Sequence, residues 1–479
     1  MNYFPNGAGR PACDRSWKRW RSSVLAVAAI AMSGCGNAPE PPPHIIVIMV
    51  DTLRRGHLGV YGYERDTAPV LDSLAESGLV FENAVAQSSW TLPSLWSLFT
   101  SRYPGELAPQ GGLHKLIERL PEATDTLAEI LSGAGYRTVS VSSSPYTTKV
   151  FATTAGFGVQ IQENGASAEE LVDLSLEQLD SHLEATAEKS APLFLYLHLL
   201  DVHAPYAPPA PYDTLFPTID GRPHEPSHRR GRFDGFDSDE SDAPGLAAHR
   251  SHVVALYDGS IRYLDSQLGR LIAFLDQTGL RENSVIAIVS DHGEAFWEHT
   301  ALERKFDLRV RGKLHWGYGH GHTLFPEVLD VPLIISGRGV PVGRVRGQVR
   351  NLDIAPTLLA LAGLKREGLQ LRGVDLLKRV ANGEDEDLPA LSETNLSYAN
   401  QKTLRHAGHQ LLRLDRRDLL FRNEEDRLVE VSDREPEKLA AMAAELDALL
   451  DAFNPERSDP LGDLDPKTRA ALRSLGYVK

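Results

Sequence analysis

The segment His44-Ile-Ile-Val-Ile-Met-Val50 is an almost unbroken apolar, largely β-branched run, and the next residue is Asp51. A strand apolar on both faces has to be covered on both faces, which predicts a central strand of a parallel sheet. Runs of the same kind recur at Thr138 to Val141, Leu193 to Leu200, Ser284 to Val289 and Val331 to Ile335. Helical patterns lie between them: Ala68 to Ser77 with Gly78 as its C-cap, Ala168 to Ala185, and His252 to Gln277. Strands alternating with helices predict an α/β fold, a three-layer α/β/α sandwich with a mostly parallel central sheet. Past about Leu388 the pattern changes. Short runs at Gln410 to Leu414 and Arg427 to Val431, then an acidic amphipathic stretch from Glu437 to Phe453, predict a small C-terminal antiparallel-sheet subdomain. The expected organisation is a catalytic domain over 44–385 and an α+β subdomain over 386–479. The polar stretch from Thr218 to Ala248 has no periodicity and reads as a long surface loop.

Composition excludes several alternatives. At 42% hydrophobic and 24% charged residues the chain is neither collagen-like, coiled-coil, disordered nor a multi-span membrane protein. A formal charge of −15 argues against nucleic acid as a partner. The N-terminus carries a basic stretch and then the apolar run Val24 to Met32, too short for a bilayer span but suited to an export signal. The sequence Met32-Ser33-Gly34-Cys35 resembles the bacterial lipobox, which implies a signal peptide over 1–34 and a lipid on Cys35. A Pro-rich tether over 35–43 follows. The expectation is an exported lipoprotein, anchored to a membrane and facing the periplasm or the cell exterior, with a plain secretory signal as the alternative. Cleavage before Cys35 removes Cys13 and leaves no thiol for a disulfide or a thiolate metal site.

Three of the apolar runs end in ligand-type residues: Asp51, then Asp201 and His203, then Asp291-His292-Gly293-Glu294. Open α/β sheets bind ligands at the carboxyl ends of their strands. Oxygen and imidazole donors on rigid elements suit a divalent cation such as Zn, Mn or Mg. A further segment, Ser89-Trp-Thr91-Leu-Pro93, reads as a helix start with Thr91 at or near the N-cap. A hydroxyl there lies in the positive end of a helix dipole, and a bound cation would activate it as a nucleophile. Arg54, one turn past Asp51, is a candidate contact for a substrate anion. His198, His114 and His315 are ligand candidates by residue type, but single histidines are more often core or surface residues.

Together these segments resemble the sulfatase-like branch of the alkaline phosphatase superfamily. The match runs through VDTLRRGHLGVYGY (Val50 to Tyr63), the stretch from Thr67 to Pro104, LHLLDVHAPYAPP (Leu197 to Pro209), SDHGEAFWEH (Ser290 to His299), GHGHTLFPEVLDVPLIISG (Gly319 to Gly337) and LRSLGYV (Leu472 to Val478). The resemblance implies an alkaline phosphatase-like fold and puts Asp51, Asp291 and His292 at metal-ligand positions. It puts Thr91 at the nucleophile position, where it also meets the metal. His203 and His320 fall where relatives contact the transferred group, with His322 and Glu294 close by. One divalent metal site (Zn, Mn, Mg or Ca) is implied, with a second open through Asp201, His203 and His320.

Several positions depart from the sulfatase pattern. Thr91 stands where a Cys or Ser is oxidised to formylglycine, Leu95 where an Arg is usual, Thr52 where a second Asp is usual, and His292 where an Asn is usual. The expected function is therefore metal-dependent hydrolysis or transfer of phosphate or sulfate esters through Thr91. Sulfate-ester hydrolysis without formylglycine is one alternative, and a catalytically inactive, metal-containing binding lipoprotein is another. The expected substrate is a small anionic ester of a lipid head group or a sugar.

Overall fold

The computed structural model describes residues 41–107, 118–186, 191–219, 246–308, 316–396, 400–415, 417–424, 427–453, 459–460 and 464–475. Residues 1–40, on which the expected export signal and Cys35 fall, His114, His315, most of the 218–248 stretch and the last residues of the LRSLGYV segment lie outside the described residues.

The main sheet is built from β1 (His44–Val50), β2 (Gly78–Val85), β3 (Arg137–Ser142), β4 (Val159–Gln162), β5 (Leu193–Leu199), β6 (Ser284–Val289), β7 (Asp330–Gly337) and β8 (Gly343–Val345). Their order is β8-β2-β7-β6-β1-β5-β3-β4, and Val349–Arg350 also pairs with β2. β1 is flanked by β5 and β6, parallel to both, with Val50 beside Leu199 and Met49 beside Val289. Only β7 runs antiparallel to its neighbours in this sheet, so the carboxyl ends of β6, β1 and β5 share one edge.

The alternation of side chains along β1 explains the layers. Ile45, Val47 and Met49 join one core with Leu92, Leu95, Trp96 and Phe99 of helix α2 (Thr91–Thr100). Ile46, Ile48 and Val50 join the opposite core with Leu71, Leu171 and Leu268. These come from α1 (Pro69–Glu76), α3 (Ala168–Thr186) and α4 (Leu246–Thr278). Each such fully buried aliphatic side chain contributes about 1.5–3 kcal/mol. The fold is the three-layer sandwich expected from the strand–helix alternation.

A second, antiparallel sheet of five strands follows: β9 (Ala390–Thr394), β10 (Gln401–His406), β11 (His409–Leu414), β12 (Arg417–Glu424) and β13 (Arg427–Glu430). Leu404, Leu411 and Leu420 of this sheet share a core with Met442 and Leu446 of helix α5 (Pro436–Asp451). A last helix, α6 (Pro466–Ser474), sends Leu472 into the core that contains α2.

Two details differ from the sequence expectation. Gly78 is not a left-handed C-cap. It opens β2, where a Cβ would lie 2.8 Å from the Ile335 carbonyl oxygen and 2.9 Å from Ser336 Cβ, so close strand approach requires the glycine. β2 itself was hidden by the polar pair Glu82-Asn83, which interrupts its apolar pattern.

Candidate active site

Four elements meet at the shared strand edge. Asp51 follows β1 and Asp291-His292 follows β6. The chain leaving β2 enters α2, whose first residue is Thr91, one past the capping position Trp90. Asp51, Thr91, Asp291 and His292 are all at most 1% exposed.

One donor atom each from Asp51, Asp291 and His292 lies within 4.8 Å of the others. Thr91 Oγ1 sits 3.3 Å from His292 Nε2 and 3.5 Å from Asp51 Oδ2. The backbone N–H groups of Thr52 and His292 donate to Asp291 Oδ1 at 3.2 and 2.9 Å, and His292 Nδ1 is 2.9 Å from the Gly293 carbonyl. These contacts orient the donors. Asp51 Oδ1 and Asp291 Oδ2, in contrast, are buried and accept no well-formed hydrogen bond from the described residues.

Electrostatics explains what such an arrangement needs. Burial opposes charge on the His292 ring, but the carboxylates of Asp291 and Asp51 outweigh it and push its pKa up to about 9. Burial likewise opposes ionisation of Asp291, yet His292 and His198 hold its carboxyl well below the usual range. Two buried carboxylates demand positive charge, which a proton on His292 or a cation supplies equally. Asp51 Oδ1, with no hydrogen bond, and Asp291 Oδ2, whose close neighbour is His292 Nε2 at 3.2 Å, are with that imidazole a donor set that fits a divalent cation.

Thr52 adopts φ 60°, a left-handed conformation unusual for a β-branched residue. Its carbonyl accepts from the Tyr257 hydroxyl at 2.7 Å, and its own hydroxyl donates to the Val202 carbonyl at 2.9 Å. The strained residue is therefore held from both sides, as expected beside a functional group. Its side chain is spent on Val202 and does not replace the carboxylate usual at this position.

His320 packs on His292 with ring centroids 4.4 Å apart and on His203 at 5.0 Å. Glu294, fully buried, takes His320 Nδ1 on Oε1 at 2.9 Å and the Tyr206 hydroxyl on Oε2 at 2.8 Å. Burial and the adjacent His292 push the pKa of His320 down although Glu294 draws it up. His203 Nδ1 is 2.6 Å from the Ala204 carbonyl.

The remaining candidates have these partners. Arg54 is paired with Glu298 at 2.6 Å and lies over the Phe296 ring. His322 is buried, with Nε2 3.2 Å from Glu303 Oε2. Leu95 is fully buried in the core. Among the described residues Asp51, Asp291 and His292 are the grouping with metal-ligand spacing.

One contact was not foreseen. His198, read as a core or surface histidine, brings Nε2 to 3.2 Å from Asp51 Oδ2, while Nδ1 is 3.1 Å from both Tyr196 and Thr147 hydroxyls. The available signal was a lone histidine inside the apolar run Leu193 to Leu200, on a strand destined for the sheet centre.

The sequence profile of the sulfatase family matches residues 43–364. The chain belongs to the sulfatase family. As a member it is an ester hydrolase, with a mostly parallel alkaline phosphatase-like core and a C-terminal antiparallel sheet. Human iduronate 2-sulfatase is 26% identical over 414 residues, covering 72% of this chain and 74% of that protein. A putative sulfatase from Bacteroides fragilis superposes with a TM-score of 0.67 at 18% identity, over 92% of this chain and 99% of that one. A phosphonate monoester hydrolase of Agrobacterium radiobacter gives 0.65 at 18% identity, over 85% and 95%.

Proposed function

We propose that this sulfatase-family chain hydrolyses an anionic sulfate or phosphate ester by nucleophilic attack from Thr91. The observation that carries the reading is Thr91 Oγ1 lying between Asp51 Oδ2 and His292 Nε2 at the start of α2. A divalent cation held by Asp51, Asp291 and His292 would lower the pKa of the Thr91 hydroxyl and polarise the ester oxygens. Thr91 Oγ1 attacks sulfur or phosphorus, the bond to the leaving oxygen breaks, and water then cleaves the Thr91 ester. The amide N–H groups at the start of α2 favour the anionic group. Glu294 fixes the His320 ring through Nδ1, and the Ala204 carbonyl fixes His203, so the acid–base work of each ring falls to Nε2.

The sulfatase relatives favour a sulfate ester. A second reading, phosphoryl transfer, is favoured by Thr91 itself. A threonine ester has no second hydroxyl to expel the bound group, so water must attack it directly, a path open to phosphoryl esters. Aryl sulfate, phosphate monoester, phosphodiester and phosphonate substrates separate the two. Thr91→Ala should lower kcat on the preferred ester by about 10³-fold or more. Undiminished turnover would remove Thr91 from the mechanism.

Export and lipid anchoring through Cys35 belong to the same proposal and rest on residues 24–35 alone. Cys35→Ala should shift the expressed protein from the membrane to the soluble fraction. Retention in the membrane would exclude that anchor.

A further inference from the structure

His320 stands between two glycines in the left-handed region, Gly319 at φ 93° and Gly321 at φ 81°. Glycine loses more conformational freedom on folding than any other residue, so this segment has little stiffness of its own. Glu294 holds the His320 ring at Nδ1. The backbone that carries the ring is held by a different element, the C-terminal sheet.

Side-chain alternation gives that sheet two faces. Leu391, Leu404 and Leu411 share a core with α5, whereas Ala390 and Leu412 join the core that contains α2. Ser392, Thr394, Gln401 and Gln410 lie on this second face, with Thr394 opposite Gln401 in the register of β9 and β10. All four are at most 4% exposed. Burying a polar side chain in such an interface is costly unless it is hydrogen-bonded, and each of the four donates to a main-chain carbonyl of the catalytic domain. The Thr394 hydroxyl donates to the Gly321 carbonyl, Gln401 Nε2 to the His322 carbonyl and Gln410 Nε2 to the Leu324 carbonyl, all at 2.7 Å. The Ser392 hydroxyl donates to the Ala86 carbonyl at 2.5 Å, in the stretch between β2 and α2 that leads to Thr91. In the same stretch the Gln87 carbonyl accepts from the Glu393 N–H at 2.9 Å, and the Ser88 hydroxyl donates to the Glu393 carbonyl at 2.7 Å. Three consecutive residues of β9 thus bond to both segments that bring Thr91 and His320 to the centre.

We propose that Thr394 and Gln401 are positioning residues for His320, which makes the C-terminal sheet part of the catalytic apparatus. The proposal rests on the reading of His320 as an acid–base group of the Thr91 centre and deepens it. The two carbonyls that they hold belong to the residues directly after His320. Releasing those carbonyls frees the segment to turn about its glycines and carries His320 Nε2 away from the leaving oxygen. A displacement of about 1 Å at a reacting group costs up to about 100-fold in rate.

Thr394→Val and Gln401→Met keep the side-chain size and delete the donor. For phenyl esters of the preferred acid, kcat should fall by about 10- to 100-fold. The loss should be much smaller for 4-nitrophenyl esters, whose leaving group departs without a proton. In a His320→Ala background the same substitutions should cost nothing further, because the ring they position is gone. Thr403→Val is the control. Thr403 is buried on the same face, but its hydroxyl donates to the Leu411 carbonyl within the sheet at 2.7 Å. That variant should lose comparable stability and keep its kcat.

Nuclear magnetic resonance of the intact chain with labelled histidine gives a reading independent of turnover. The His320 ring signal, assigned by its absence in His320→Ala, should shift or broaden in Thr394→Val and Gln401→Met and stay in place in Thr403→Val. An unmoved ring signal, an unchanged kcat, a loss that adds in full to that of His320→Ala, or an equal loss in Thr403→Val overturns the proposal. Undiminished turnover in Thr91→Ala removes the nucleophile assignment alone, since the ring signal does not depend on which group attacks.

Discussion

His198 Nε2 lies 3.2 Å from Asp51 Oδ2, joining the middle strand of the sheet to its neighbour at the edge where the candidate ligands gather. Groups that orient a ligand from behind typically change metal affinity by about 10–100-fold when removed. His198→Phe keeps a ring of similar shape in the core and deletes the nitrogen. Its affinity for Mg, Mn, Ca or Zn ions should fall by that factor while the fold persists. Unaltered affinity by competition with a chelator would show that Asp51 is positioned without it.

Metal addition should stabilise the chain. A ligand bound only by the folded state adds about 2.7 kcal/mol at a hundredfold excess over its Kd. We expect Tm to rise with the cognate divalent ion and to fall again with EDTA. Asp291→Asn removes one of the two buried carboxylates that call for positive charge, and should abolish the rise. A metal-induced rise that survived in that variant would place the ion elsewhere.

Gly293 leaves no room for a side chain. A Cβ would stand 2.2 Å from the Glu327 carbonyl oxygen and 3.2 Å from Arg54 Cγ, and the residue's N–H donates to the Val328 carbonyl at 2.9 Å. The obstacle is backbone and yields little, so Gly293→Ala should destabilise the chain by about 1–3 kcal/mol. Because any adjustment moves the adjoining His292, kcat should drop further than the stability loss accounts for. Denaturant unfolding and turnover of one preparation provide the comparison.

Asp265 couples folding to pH. Its two carboxylate oxygens accept the Val70 and Leu71 N–H groups at 2.9 and 3.0 Å, tying α4 to the first turn of α1. Burial outweighs those bonds and pushes its pKa up to about 7. The folded state therefore holds this proton more tightly than the unfolded chain, whose carboxyl titrates near 4. The group's contribution is complete below about pH 4 and is lost as pH rises to about 7, by at most roughly 4 kcal/mol at about 1.4 kcal/mol per unit. Asp265→Asn should flatten stability against pH across that window. An unchanged slope would assign the pH dependence to other groups.

Much of the site was legible because it is carried by local patterns. Asp51, Asp291 and His292 each follow an apolar run that has to be a buried strand, and Pro93 marks the start of the helix that carries Thr91. The same reasoning misplaced Gly78, because glycine after a helical pattern reads as a cap whether it ends the helix or admits a neighbouring strand. It named Arg54 and His322 without the carboxylates that pair with them. The carboxylate that pairs with Arg54, Glu298, lies 244 residues later in the chain, and the one beside His322, Glu303, lies 19 residues earlier on another element, so no local spacing announces either.

The chain's own pattern of apolar runs and terminal acids settles that there is a layered α/β sandwich with ligand-type groups at its strand ends, since burial on both faces of a strand is a property of a few consecutive residues. The order β6-β1-β5 is decided only in three dimensions, through pairing between segments some 150 to 240 residues apart. That order turns His198 toward Asp51 and Glu294 toward His320. Register and neighbour choice depend on the packing of whole faces against one another, and no single strand's sequence contains that information.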